Sequence, residues 1–87
     1  MNMGRPKIAI VDANTLVVLG LKQLLQNVMP IMTVDSFSSF QEFEKAQPNS
    51  YYHYFVSQVI VLENRQFFSQ CIHKTIVLTI TKDPNAQ

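Results

Sequence analysis

Three polar residues stand where apolar runs stop. Asp12 closes Lys7-Ile-Ala-Ile-Val, Ser57 closes an aromatic and β-branched run over residues 52–57, and Thr79 closes Lys74-Thr-Ile-Val-Leu. Open α/β sheets bind ligands at the carboxyl ends of their strands, so a carboxylate and two hydroxyls at such ends have the makings of a site. The chemistry open to them is narrow. A small enzyme using Asp12 as acid or base lacks a partner carboxylate and ranks last. A small α/β binding module that holds an anion or small ligand near Asp12, Ser57 and Thr79 is a second reading. Each residue also has a plainer role: Asp12 as a capping or solvated turn acid, Ser57 and Thr79 as strand-end hydroxyls that satisfy nearby backbone groups.

Other chemistries find no footing. Cys71 is the sole cysteine, which leaves no intramolecular disulfide and no Cys-rich zinc site. Its setting among Phe67, Phe68 and Ile72 reads as a small apolar residue rather than a catalytic thiol. His53 and His73 share no metal-ligand spacing with each other or with Cys71. Gly4 and Gly20 are the only glycines, too few for a phosphate-cradling loop. The strand-end motifs of a Ser-His-Asp hydrolase are missing. Phe37, Phe40, Phe43, Tyr51, Tyr52, Tyr54 and Phe55 read as core, with Tyr51 and Tyr52 as exceptions if they reach an interface.

The elements that must position these residues follow from periodicity. Residues 7–12 form a short, β-branched apolar run of the kind that makes a buried parallel strand. The period then changes: Leu16, Val17, Leu21, Leu24, Leu25 and Val28 recur every three to four residues. The pattern predicts an amphipathic helix over 15–28, with Asn14 as N-cap and Pro30 beyond its end. A second strand is predicted at 31–34. Ser39-Phe-Gln-Glu42 has capping-box spacing and opens a short helix with Phe40 and Phe43 inward, which residues 48–50 break. A third strand covers 52–57, a further helix about 63–72, and a fourth strand 74–79. Residues 58–62 fit either an extension of the third strand or a loop. Alternation of this kind implies a parallel sheet with right-handed crossovers and helices on both faces.

The string Ile-Ala-Ile-Val-Asp12-Ala-Asn, then Leu16 and Gly20-Leu-Lys-Gln-Leu-Leu25, resembles the first strand and helix of a response-regulator receiver domain. Thr-Ile-Val-Leu-Thr79 is similar to that family's fourth strand, which ends in Thr or Ser. The resemblance implies a flavodoxin-like αβα fold with strand order 2-1-3-4, covering residues 1–87 as one domain that stops short of the fifth strand, its Lys and the last helix. Receivers are phosphorylated on an aspartate with the help of Mg²⁺ held by an acidic cluster. Carried over, Asp12 is the first acid of that cluster, Ala13 stands where the second belongs, Ser57 takes the phosphoacceptor position and Thr79 the switch-hydroxyl position. One carboxylate cannot both hold Mg²⁺ and receive phosphate, and a neutral serine is no acyl-phosphate acceptor. No Asp lies between Asp35 and Asp83, so no register restores one. The resemblance therefore implies a phosphorylation-independent module with no cofactor and no expected Mg²⁺ binding, set before a helix-turn-helix DNA-binding domain in a bacterial transcription regulator.

Composition sets the remaining expectations. A chain of 87 residues buries only about 60–65% of its unfolded surface, so leftover apolar surface is expected when 47% of residues are hydrophobic and 15% charged. Homodimerisation, or packing on a C-terminal DNA-binding domain, through the fourth strand and the sheet face beside the first helix would cover it. The net charge of +1 is spread without a basic stripe, which argues against direct nucleic-acid binding. Apolar runs are too short for a membrane span, and the start has no signal-peptide core, so a cytoplasmic setting is expected. Residues 82–87 read as a polar tail and a possible linker start.

Overall fold

Strand β1, Lys7–Val11, is the centre of the molecule because its residues are apolar on both faces, and all but Lys7 are buried. The computed structural model describes residues 6–79; the predicted polar tail at 82–87 lies outside them. β1 is flanked by β2, Thr33–Phe37, and by β3, His53–Ser57, and β4, Thr75–Leu78, lies outside β3. All pairings are parallel and the order is β2-β1-β3-β4. Helix α1, Thr15–Val28, covers one face, and α2, Phe40–Lys45, α3, Gln58–Glu63, and α4, Arg65–Gln70, belong to the other. This is the expected α/β, flavodoxin-like three-layer arrangement.

Strand alternation sorts the core into two halves. On the α1 side, Ile8, Ile10, Val34 and Leu25 pack with Val18, Leu21, Met29, Met32 and Phe55. On the other side, Ala9, Val11, Tyr54 and Val56 meet Phe43, Tyr51, Ile60 and Phe68. Phe43 is fully buried, with the Tyr54 ring 4.9 Å away edge-on and Phe37, Tyr51 and Phe68 around it. The predicted aromatic core is thus concentrated on one face, Phe55 excepted. Of the two named exceptions, Tyr52 is exposed but Tyr51 is buried.

Several boundaries differ from the sequence expectation. β2 begins at Thr33 rather than 31 and runs on to Phe37, because its register follows β1 from Lys7↔Thr33 to Val11↔Phe37. Apolar Ile31, which suggested an earlier start, is 70% exposed. β3 begins one residue late and β4 loses a residue at each end. Residues 58–62 are neither strand nor loop: they form most of α3, and the single helix expected over 63–72 is divided at Asn64. The Asn64 side chain donates to the Ile60 carbonyl at 2.9 Å, ending α3 while its own backbone enters α4. No helix among the described residues is long and apolar enough to cross a membrane.

Candidate functional site

The carboxyl ends of the strands open into a cleft of about 990 Å³ that brings together Asp12, Ala13, Ser57 and Thr79, with Ser38 and Glu63 beside them. The three strand-end residues picked out from sequence therefore do share one site. Parallel pairing puts them there: each strand ends on the same side, and β1, β2 and β3 each lead into a helix just past their ends.

Hydrogen bonds decide what these groups can do. Asp12 Oδ1 accepts the Asn14 backbone N–H at 2.8 Å, a local Asx-type turn. Asn14 Oδ1 in turn accepts from the N–H groups of Leu16 and Val17 at 3.0 and 3.2 Å, the predicted N-cap of α1. Ser57 Oγ accepts the Ile60 N–H at 3.3 Å and caps α3. Ser39 caps α2 through the Glu42 N–H, and Glu42 Oε1 accepts from the backbone and hydroxyl of Ser38. The polar rim of the cleft is largely spent on ending strands and starting helices. Thr79 is exposed just past β4.

Among the described residues that line the cleft, the charges are Asp12 and Glu63, with no Lys, Arg or His. Two carboxylates repel an anion, so the lining does not favour anion capture. Among the described residues no group of three His, Cys, Asp or Glu side chains is placed to hold a metal. Cys71 is half-buried against the α2–α4 core and its thiol donates to the Phe67 carbonyl at 3.4 Å. His73 is exposed in the turn before β4, and His53 lies in β3 against Tyr52.

A second surface adjoins the cleft. The register places Ile76 beside Phe55 and Leu78 beside Ser57, so both face the α1 side of the sheet, and Val77 faces the other. Ile76 is 41% and Val77 43% exposed, and no described strand pairs with the outer edge of β4. α1 sits over β1 and β2: Val18 and Leu19 border β2 near Ser36, while Val17 borders the cleft with Leu78. The stripe Val17, Leu21, Leu24 and Val28 thus runs down the flank of α1 that looks toward β3 and β4, with Leu24 and Val28 exposed. On α3, Val59 and Leu62 are exposed as well, and Val59 borders the cleft with Leu78.

Sequence reasoning anticipated Ser57 as a hydroxyl that satisfies a nearby backbone group, but it missed the helix that Ser57 caps and the place of Glu63 on the cleft. Ser57 followed by apolar Ile60 and Val61 carries the signal of a helix start, masked by the β-branched residues around it. Comparisons with protein-family models, with curated proteins and with solved structures found no match for this chain.

Proposed function

We propose that this chain is a receiver-like regulatory domain that works without phosphorylation, by protein–protein contact, in a cytoplasmic transcription regulator, and that it is not an enzyme. The reading rests on one observation above others. Ser57, at the end of β3 where a receiver's acceptor aspartate would stand, is a neutral hydroxyl already occupied in capping α3. Support comes from the strand order, from Asp12 and Thr79 at the matching strand ends, and from Ala13 beside Asp12 where a second acid would be needed. The apolar surface around β4 supplies what an interaction domain requires, a face whose burial is favourable. Its partner is a second copy or a DNA-binding domain that follows in the same regulator.

A thermal melt with and without Mg²⁺ and beryllofluoride, a mimic of the acyl phosphate, tests this. No change in Tm is expected. A rise of several degrees would mean a working acidic pocket and would sink the reading.

A further inference from the structure

The outer edge of β4 is paired with no described strand, and neither the core nor the caps account for its exposed apolar residues. Natural sheets blunt free edges with charged residues, proline or bulges. From Thr75 to Leu78 this edge has none of these, and its central residues are exposed and β-branched. Building on the reading above, we propose that the partner is a second copy of this chain, joined by antiparallel pairing of the two β4 edges about a twofold axis at Val77. The two four-stranded sheets become one continuous sheet.

Self-complementarity carries the proposal. A twofold axis perpendicular to the sheet returns each face to itself, so residues opposite one another must come from the same face. Centring on Val77 sets Val77 against its own copy, Ile76 against Leu78 of the second copy, and Thr75 against Thr79 of the second copy. Apolar side chains then meet apolar ones on the α1 face and hydroxyls meet at the ends. The charges also agree. Lys74 immediately precedes β4, with its Nζ 5.3 Å from the Tyr54 ring centre and hence on the α2–α4 side. Glu63 borders the cleft at the other end of the strand, with Leu78 and Thr79. Antiparallel pairing brings each Lys74 toward the Glu63 end of the other copy and keeps the two on one face, whereas parallel pairing would exchange the faces and separate them. Val59 and Leu62 on α3 extend the apolar surface on that side.

Sedimentation velocity on the full chain, from micromolar to near-millimolar concentration, is the first test. A concentration-dependent doubling of the 10.0 kDa mass is expected, and its loss in Val77→Lys with the far-UV circular dichroism retained. A second measurement holds even if that variant fails to fold. In a Cys71→Ser background, Val77→Cys should oxidise readily to an intermolecular disulfide, since facing Cα atoms of an antiparallel pair lie about 4.5–5.5 Å apart, within disulfide reach. Leu19→Cys in the same background, on the β2 side of α1, should not. A monomer at every concentration without the Val77→Cys cross-link overturns the dimer, and so does a dimer that cross-links through Leu19→Cys instead. Either result with no Mg²⁺–beryllofluoride shift leaves the interaction-domain reading standing; a shift removes that reading by itself.

Discussion

The Tyr51 hydroxyl donates a 2.7 Å hydrogen bond to Asp35 Oδ2, tying the turn before β3 to β2 across the end of β1. Lys7 Nζ lies 4.7 Å from the centre of the same ring, so one tyrosine holds a cation over its face and a carboxylate at its hydroxyl. Removing the hydroxyl leaves the ring packing and the Lys7 contact intact. Tyr51→Phe should therefore lower unfolding free energy by about 1–2 kcal/mol, read from urea denaturation. An unchanged midpoint would mean that water replaces the bond at no cost.

The same ring governs alkaline stability. Burial first, then the hydrogen bond to Asp35 and the charge of that carboxylate, push the Tyr51 hydroxyl far above the ordinary tyrosine pKa of 10.0. Burial first, and then the Cys71 thiol, raises Tyr54 as well. The folded state holds these protons more tightly than the unfolded chain. Their contribution is thus complete below about pH 10 and is lost as pH climbs from there toward the folded-state values. Urea midpoints should fall above that point, and less steeply in Tyr51→Phe. Equal slopes in the two proteins would assign the alkaline loss to other groups.

Gln47 has φ 60° and ψ 72°, the one described residue other than glycine in left-handed backbone. It links α2 to the turn at Pro48–Ser50, and its carbonyl accepts from the Ser50 N–H and hydroxyl, so the conformation is held by its neighbours. A side chain in this region costs about 1–2 kcal/mol, which glycine avoids. Gln47→Gly should raise stability by about 0.5–1 kcal/mol after its greater unfolded entropy is counted. Loss of stability would place an unrecognised contact on the glutamine side chain.

The acidic pocket can be rebuilt. Ala13 and Ser57 border the same cleft as Asp12, and aspartate caps a helix as well as serine does. Ala13→Asp combined with Ser57→Asp should therefore keep α3 capped and create a site whose melting temperature rises with Mg²⁺, while the parent protein does not respond. A double variant that folds but ignores Mg²⁺ would show that strand-end geometry, and not only residue type, departs from that of a receiver.

Part of this was legible without coordinates. The helix over Thr15–Val28 matched its predicted bounds because its period, its Asn14 cap and Pro30 beyond it are local signals. The strand order matched the one the receiver resemblance implies, and the parallel sheet itself followed from the alternation of strands and helices. The candidate residues Asp12, Ser57 and Thr79 were placed together for the same reason. Residues 58–62 misled because Val59, Ile60 and Val61 favour strands by type. Their helix depends on a serine cap and on burial of Ile60 against the sheet, which periodicity over six residues does not reveal.

Sequence alone determined the alternation of strands and helices and the absence of an acidic pair beside Asp12, because these depend on residue type and on spacing along a few turns of chain. Only the tertiary structure decided that Tyr51 meets Asp35, that Ser57 caps a helix, and that Ile76 and Leu78 share the α1 face while Val77 takes the other. Those outcomes depend on strand register and on which face each residue takes once distant segments pair, and a single slip of one residue would reverse them.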